Sequence, residues 1–382
     1  MDLVVAHCKR SFLEPTETFI GYQIKLLQGF KPIVLCHTKN YISPEFSFSV
    51  FPTTEILKGI DRVWAIYGYK FFRHLTESEK RVLFDIIRQH NTRLLHLHYA
   101  VDARYFLNLI MKANIPAVVS LYGYDISYFP RLFLGYGKFY LKPIFEQIDK
   151  FIAMSEDMKK DLIRLGCPEE KITVHYYGIE VDKFAFPGRK YEDKDVVNIL
   201  MVGTLEVKKA QHLVLAALRD IEKHLKNKFT ISIVGNGPMS RHLHKMVEEY
   251  GWSNKAKFFG FIPYERKELV DAYHNADIFA LPSITVRGDK EGIPGTIVEA
   301  MASGLPVISS FHAGIPEVIE NYKHGILVKE KDIEGLGEAL KSLIESRDLR
   351  ARLGRAAAER AKREFDAEKC VKNLEKIYQS LI

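Results

Sequence analysis

The sequence predicts an α/β chain of two Rossmann-like, doubly wound parallel-sheet domains facing one cleft. Three observations carry this. Its 382 residues exceed what one core accommodates and suit two domains of roughly 190 residues. Short β-rich runs alternate with runs of helical period throughout, as in parallel sheets covered by crossover helices. The alternation breaks once, at 183–196, "KFAFPGRKYEDKDV", where Pro, Gly and dense charge mark a linker, and then it restarts.

The elements follow in order. "LVVAHC" reads as a first strand and not a leader, because the opening lacks a basic n-region and a small-residue cleavage site. "ETFIGYQIKLL" is the first helix. "RLLHLH" is a strand feeding the helix "DARYFLNLIMKA"; "PAVVSLY" and "KFIAMS" are strands, the latter followed by the helix "EDMKKDLIRLG". Beyond the linker, "VNILMVG", "FTISIVG", "AKFFGF", "ADIFALP", "LPVISS" and "GILV" are strands set among helical sequence. From 332 onward the pattern is helical, and the last segment is expected to cross back and brace the first domain. The expected division is 1–184, 185–365 and a terminal helix at 366–382. In open α/β sheets ligands bind beyond the carboxyl ends of the strands, so the loops there are the candidate site.

Composition narrows the function. Apolar residues at 47% and aromatics at 12% fit filled globular cores and exclude a disordered chain. No apolar run approaches the roughly 18 residues that cross a bilayer, so a cytoplasmic protein is expected, soluble or peripheral at the inner membrane face. Cys8, Cys36, Cys167 and Cys370 are scattered, with no CxxC pair for zinc or redox chemistry. Residues 51–150 hold fourteen Lys and Arg against nine Asp and Glu, most of the net charge of +7. Within them, "YFPRLFLGYGKFYLKP" (128–143) interleaves Arg131, Lys138 and Lys142 with aromatics. Such a stretch suits an anionic membrane surface, a lipid-phosphate acceptor or nucleic acid; a packed helix with snorkelling basic tips is the simpler reading of it.

The segment "DKEGIPGTIVEAMASG" joins a strand to a helix through Gly292, Ile293, Pro294 and Gly295. The turn precludes a helix before about residue 295, and Thr296 is the expected N-cap. Thr296-x-x-Glu299 has the spacing of a capping box, in which Glu299 bonds its own helix. Glu291 has no such explanation. A Gly-rich loop opening a helix offers amides and a positive dipole end to a phosphate, whereas flanking carboxylates suit sugar hydroxyls. A sugar attached to a diphosphate meets both demands.

"EGIPGTIVEAMASGLPV", followed by "AGIPEVI" and "HGILV", resembles the glutamate-x7-glutamate region of the family-4 retaining glycosyltransferases, also called glycosyltransferase group 1, of GT-B fold. "MVGTLEVKKAQHLVLAA" resembles their first C-domain strand and helix, "YYGIEVDKF" the entry to the hinge, and "HLHYAVDA" with "VVSLYGYDIS" strands of the acceptor domain. "LEPTETFIGYQIKLL" is similar to the first loop and helix of the exopolysaccharide, colanic-acid-type subgroup.

The resemblance implies a UDP- or GDP-sugar as co-substrate, no further cofactor, no metal, and a sugar or lipid-linked acceptor; no nucleic-acid partner is expected. It implies that Glu299 binds ribose hydroxyls, that Glu291 lies near the donor sugar and reacting centre, and that Gly292, Ile293, Pro294, Gly295 and Thr296 line the donor. Lys209 matches the lysine that neutralises the leaving diphosphate, its alternative being a surface lysine beside Lys208. Gly203 begins the loop after a strand, and Thr204 stands where many members carry arginine. Lys208, Arg287, Lys9 and Arg10 are the cations that remain to replace it. In the acceptor domain Tyr122-Gly123-Tyr124-Asp125 stands where the subgroup reads His-Gly-x-Asp. Asp125 is expected to join Glu291 and Lys209 in catalysis, with Glu17, His98, Tyr122 and Gly123 on the acceptor side.

Gly235 and Gly237 of "GNGP" follow a strand and open a helix, either touching the nucleotide or making a tight turn. Phe261 of "GFIP" follows another strand and is a candidate for the base. His96 and His98 lie on one strand face, and two histidines alone make no metal site. Asp193-Lys194-Asp195 imitates a metal signature but reads as solvated charge. Among other classes, a nicotinamide-dependent oxidoreductase would want G-x-G-x-x-G after the first strand, which "VVAHCKRSFLEPTE" lacks, and failure to bind nicotinamide cofactors would dispose of it. A phosphorylase or epimerase on the same architecture stays open, as does a non-catalytic sugar- or nucleotide-binding protein.

Overall fold

The computed structural model describes residues 3–14, 17–40, 45–72, 74–226 and 228–382. The chain divides into two compact units, residues 1–178 with 367–382, and residues 179–366. Each is built on a parallel sheet.

In the first unit seven strands lie in the order β3-β2-β1-β4-β5-β6-β7. They are β1 (Val4–Phe12), β2 (Lys31–Lys39), β3 (Ser49–Pro52), β4 (Thr92–His98), β5 (Ala117–Ser120), β6 (Lys150–Ala153) and β7 (Ile172–Val174). The central strands carry apolar runs such as Val4-Val5-Ala6 and Leu94-Leu95, buried on both faces as a covered parallel sheet requires. Strand order reverses between β1 and β4, where His7 stands opposite His96. The last helix, Ala367–Gln379, belongs to this unit. Its Glu375 carboxylate accepts from the Gln28 and Gly29 amides, each at 2.7 Å, and its Tyr378 hydroxyl bonds buried His96.

The second unit has six strands in the order β10-β9-β8-β11-β12-β13: β8 (Val196–Val202), β9 (Lys228–Val234), β10 (Ala256–Gly260), β11 (Ile278–Ala280), β12 (Val307–Ser310) and β13 (Gly325–Val328). Ile199, Met201 and Ile231 pack with Trp252 and Leu340 in its core. Here the order reverses between β8 and β11, so the loops following those strands flank the switch point where α/β sheets bind ligands.

Residues 183–196, expected as a linker, lie wholly within the second unit. Arg189 explains why. It is largely buried and donates to the Ser303, Ala276 and Tyr273 carbonyls at 2.6, 2.7 and 2.8 Å, while Tyr191 donates to the Gly304 carbonyl at 2.7 Å. In the Asp193-Lys194-Asp195 stretch, Lys194 pairs with Asp277 at 2.7 Å and both aspartates are exposed. All four cysteines are free and buried; burial pushes the Cys36 and Cys167 thiols up to about 12.

Candidate functional site

In the second unit the loops after β8 and β11 meet. After β8 the chain makes a one-turn helix, Val207–Lys209, and enters the helix Gln211–Ile221. The Ile284 amide donates to the Lys208 carbonyl at 2.8 Å, which ties the first loop to the second. Lys209 Nζ then pairs with Glu291 at 3.0 Å, both side chains being almost buried, and Lys208 pairs with Asp289 at 3.0 Å. Burial pushes the Glu291 carboxyl up, but the Lys209 and Lys208 ammoniums outweigh it and hold it below the ordinary range. Glu291 is therefore ionised at neutral pH.

Two residues invisible to sequence reasoning fix Glu291 from behind. Its backbone N–H donates to His312 Nε2 at 3.0 Å, so the ring proton sits on Nδ1, which donates to Glu330 at 2.6 Å. Glu330 in turn accepts from the Thr285 amide at 2.7 Å. His312 lies 21 residues further along the chain from Glu291, and no local spacing announces the contact.

The helix after the turn spans Gly295–Ala302 with Pro294 as its N-cap and no side-chain capping bond. The capping-box reading is thus overturned: Thr296 Oγ1 is buried without a partner, and Glu299 points instead to Tyr273, whose hydroxyl donates to it at 2.6 Å. Proline supplies the extended entry and lacks the amide a box needs. Burial raises the Glu299 carboxyl to about 7, against the Tyr273 hydrogen bond and the Lys183 charge. Gly292, Ile293 and Pro294 are buried around the turn, with Gly295 and Thr296 half-buried.

Gly235 and Gly237 have a packing explanation. A Cβ on Gly235 would meet the Gly203 carbonyl oxygen at 1.9 Å, and one on Gly237 the Leu205 oxygen at 2.5 Å. The loops after β8 and β9 are laced together by Gly203 N–H to the Val234 carbonyl at 3.1 Å and Leu205 N–H to Asn236 at 2.9 Å, so side chains are excluded there. Thr204 is half-buried, its carbonyl accepting from Gln211 at 3.0 Å. Phe261 is exposed just beyond β10. Arg287, at φ +51°, sits in a tight turn closed by Val286 and Asp289.

In the first unit the expected acceptor residues gather at the carboxyl ends of β1, β4 and β5. Glu17 pairs with Lys9 at 2.9 Å, and Arg10 pairs with Asp102, so both cations named as substitutes for the missing arginine are engaged within this unit. Burial raises the Glu17 carboxyl, more than Lys9 lowers it. Tyr99, at φ +73° directly after β4, places its ring 4.8 Å from Lys9 Nζ, and sequence reasoning did not single it out.

Asp125, expected to join Glu291 and Lys209 in catalysis, is engaged with backbone amides of its own unit. It is fully buried, and its two oxygens accept from the amides of Ala100 at 2.9 Å, Gly123 at 3.2 Å and Tyr122 at 3.3 Å. Burial lifts it to about 6 while those amides pull it down. It latches the Tyr122-Gly123 turn. A third histidine, His7 of β1, joins His96 and His98, all three buried, with ligating atoms within 4.8 Å of one another. Their nitrogens run in hydrogen-bonded chains, His7 to His98 at 3.1 Å and His98 to the Tyr122 hydroxyl at 2.7 Å. His96 bonds Ser120 at 2.8 Å. Burial holds all three well below the ordinary histidine range.

Comparison with known proteins fits this arrangement. Residues 27–183 match the family described as Glycosyltransferase Family 4 and residues 182–360 that described as Glycosyl transferases group 1. The amylovoran biosynthesis glycosyltransferase AmsK of Erwinia amylovora is 34% identical over 289 residues, 75% of this chain and 70% of AmsK. WcaL of Escherichia coli, a glycosyltransferase ascribed to colanic acid biosynthesis, is 33% identical over 275 residues, 71% of this chain and 66% of WcaL. The match to WcaL of Salmonella typhimurium spans 55% of that protein. Among solved structures, Anabaena HepE in complex with UDP-glucose superposes with a TM-score of 0.78 at 18% identity, covering 99% of this chain and 100% of HepE. Sucrose-phosphate synthase of Thermosynechococcus elongatus gives 0.79 at 18% identity, covering 99% of each chain. The chain belongs to the family-4, group 1 glycosyltransferases and has their GT-B fold.

Proposed function

We propose that this chain moves a sugar from a nucleoside-diphosphate donor to a hydroxyl acceptor with retention at the anomeric carbon, in the assembly of an exopolysaccharide or another lipid-linked glycan. The observation that carries the reading is the Lys209–Glu291 pair at 3.0 Å, an ammonium and a carboxylate held together beside a Gly-rich turn that opens a helix.

The bond that breaks joins the anomeric carbon to a phosphate oxygen, so the largest catalytic gain comes from stabilising charge on the departing diphosphate. Lys209 and the amides of the turn supply it, with the helix N-terminus adding its dipole. Glu291 balances positive charge on the oxocarbenium-like sugar. The acceptor attacks from the face the diphosphate leaves, and the departing phosphate oxygen takes the acceptor proton. Glu299 accepts from ribose hydroxyls. With Lys209 and Lys208 countering phosphate charge, the reading calls for no metal ion and for no cofactor besides the UDP- or GDP-sugar. Glu17, His98, Tyr122 and Gly123 serve the acceptor, and residues 128–143 meet an anionic membrane surface at the inner face.

Support comes from HepE, whose structures hold UDP and UDP-glucose, and from the polysaccharide pathways named for AmsK and WcaL. The test is a thermal-shift panel of nucleoside diphosphates and their sugars, since a ligand that binds the folded state must raise its melting temperature. A shift with UDP or GDP, followed by sugar transfer or donor hydrolysis that Glu291→Gln lowers by about two to three orders of magnitude, is expected. A panel without any shift overturns the reading.

A further inference from the structure

His7, His96 and His98 gather on one face of the first sheet. β1 and β4 run parallel with His7 opposite His96, and residues two apart on a strand share a face. Their ring centres stand 5.0, 5.3 and 4.4 Å apart, and all three side chains are fully buried. Packing alone does not account for them. A core admits a polar ring at low cost when its nitrogens are bonded. His96 is so held, by the Tyr378 and Ser120 hydroxyls, but His7 Nε2 is buried with no partner. His175 Nε2 is another such nitrogen, on a ring near enough for its charge to act on His96.

The geometry suits a metal ion. One nitrogen from each of the three rings lies within 4.8 Å of the others, and His7 Nδ1 and His98 Nε2 are 3.1 Å apart. Two nitrogens on one tetrahedral zinc, each bonded at about 2.0–2.1 Å, stand about 3.3 Å apart. An ion can therefore take the place of the proton these two rings share, each neutral ring keeping its own proton on its outer nitrogen. His98 then directs Nδ1–H to the Tyr122 hydroxyl at 2.7 Å and His96 directs Nδ1–H to that of Tyr378, the outer bonds that orient metal-binding histidines. The Ser120 hydroxyl, 2.8 Å from His96 Nε2, would turn aside.

The donor set also selects the ion. Burial keeps the three rings neutral, the form that binds metal. Imidazoles with no carboxylate among them favour zinc, copper or nickel over magnesium or calcium. Lys9, the cation that acts on His98, is paired with Glu17 at 2.9 Å, and buried Asp125, whose charge reaches Tyr122, offers a countercharge.

We propose that His7, His96 and His98 form a transition-metal site, with zinc the expected ion, which ties β1 to β4 beside the Tyr122–Gly123 turn. The site lies within the first unit and its role is structural. The sugar-transfer reading of the second unit does not call for it and is tested separately by the nucleoside diphosphate panel.

Untagged protein from cells grown with added zinc, freed of loose metal by desalting, is expected to carry about one zinc per chain by elemental mass spectrometry. X-ray absorption at the zinc edge should show imidazole nitrogens at about 2.0–2.1 Å. Extraction with a chelator should lower the melting temperature, and zinc but not magnesium should restore it. His7→Gln should melt cooperatively and lose the bound zinc together with the zinc-dependent shift. Tyr378→Phe keeps all three imidazoles and removes the outer bond of His96, so zinc affinity measured against a competing chelator should fall by about tenfold or more; this variant decides the matter if His7→Gln does not fold. Protein that holds no zinc, with a melting temperature indifferent to it, overturns the proposal and leaves a hydrogen-bonded histidine cluster that takes water on His7 Nε2. Zinc held equally well by both variants overturns it too, placing the ion elsewhere among the fourteen histidines of the chain.

Discussion

Lys209 Nζ and Glu291 Oε1 stand 3.0 Å apart, so the ammonium offered to a diphosphate is already held by the carboxylate that would face the sugar. The pair keeps the carboxylate ionised and both side chains aimed before any ligand arrives. Lys209→Ala removes the stabilisation of the leaving group, and turnover should fall by about two to three orders of magnitude, the loss typical when one donor to a developing anion is deleted. Glu291→Gln should lower turnover comparably with little change in the donor Michaelis constant, whereas Glu299→Ala should chiefly raise that constant. Steady-state kinetics with the donor identified by thermal shift separates the two glutamates; equal, mild effects from both would refute their assigned roles.

Glu299 makes both stability and donor binding depend on pH. Its carboxyl is raised from 4.5 to about 7 by burial, so between those values the folded protein keeps a proton that the unfolded chain has released. Stability from this group is then fully present below 4.5 and is lost as pH rises towards about 7, by at most about 3 kcal/mol. Asp125, raised from 3.8 to about 6, acts in the same direction. Glu299→Gln should flatten the fall in melting temperature with pH without abolishing it. Ribose hydroxyls donate better to the ionised carboxylate, so affinity for nucleoside diphosphate should strengthen as pH climbs through about 7 in the parent and hold level in Glu299→Gln, by calorimetric titration.

The sequence made the fold legible because parallel strands announce themselves: the run "ILMV" at the end of β8 is apolar along its length and bounded by glycine. Short edge strands escaped. β3 and β7 have four and three residues, SVFP and ITV, and neither lies in an extended apolar run, whereas the equally short β11 sits inside "IFAL". In the site, Glu291 and Glu299 stood out because they flank a turn whose chemistry is local. Their partners did not. Tyr273 lies 26 residues from Glu299 and His312 is brought to Glu291 by the ordering of β11 beside β12. The same applies to His7, set against His96 by the pairing of β1 with β4. The capping box failed as a reading because Thr296-x-x-Glu299 satisfies the spacing while Pro294 starts the helix earlier.

His312 should act through Glu291. It accepts the Glu291 amide at 3.0 Å and donates to Glu330 at 2.6 Å, so His312→Ala strands a nearly buried N–H and frees the carboxylate's backbone. A stability loss of about 1–3 kcal/mol is expected from the orphaned donor, with a fall in turnover at near-constant donor affinity. His312→Gln, whose side-chain oxygen can accept the same amide, should recover part of the turnover. Full activity in His312→Ala would exclude the positioning role.

Gly235 tests the lacing of the loops that carry Lys209. Its φ is +135° and an added Cβ would stand 1.9 Å from the Gly203 carbonyl oxygen, a backbone atom that cannot yield without moving the end of β8. Gly235→Ala should cost about 3 kcal/mol or more by denaturant titration. Gly188, at φ +75° with nothing within 4 Å of a built Cβ, isolates backbone strain from collision, so Gly188→Ala should cost only about 1 kcal/mol. Similar losses at the two positions would show that the contact with Gly203 relaxes freely.

The terminal helix closes the first unit through two contacts of different character. Glu375 takes the amides of Gln28 and Gly29, each at 2.7 Å, where the chain turns into β2, and Tyr378 inserts its ring beside Phe30 and its hydroxyl onto His96. Deleting residues 367–382 would expose the apolar face holding Val371, Leu374 and Tyr378 and orphan those two amides. Loss of cooperative melting of the first unit is expected, with the second unit, whose residues end at Asp366, still shifted upward by nucleoside diphosphate. Glu375→Gln keeps the shape and one acceptor oxygen, and should cost about 1–2 kcal/mol as charge-assisted bonds to backbone become neutral ones. A truncated chain that melts like the parent would mean that the helix contributes nothing to the unit it covers.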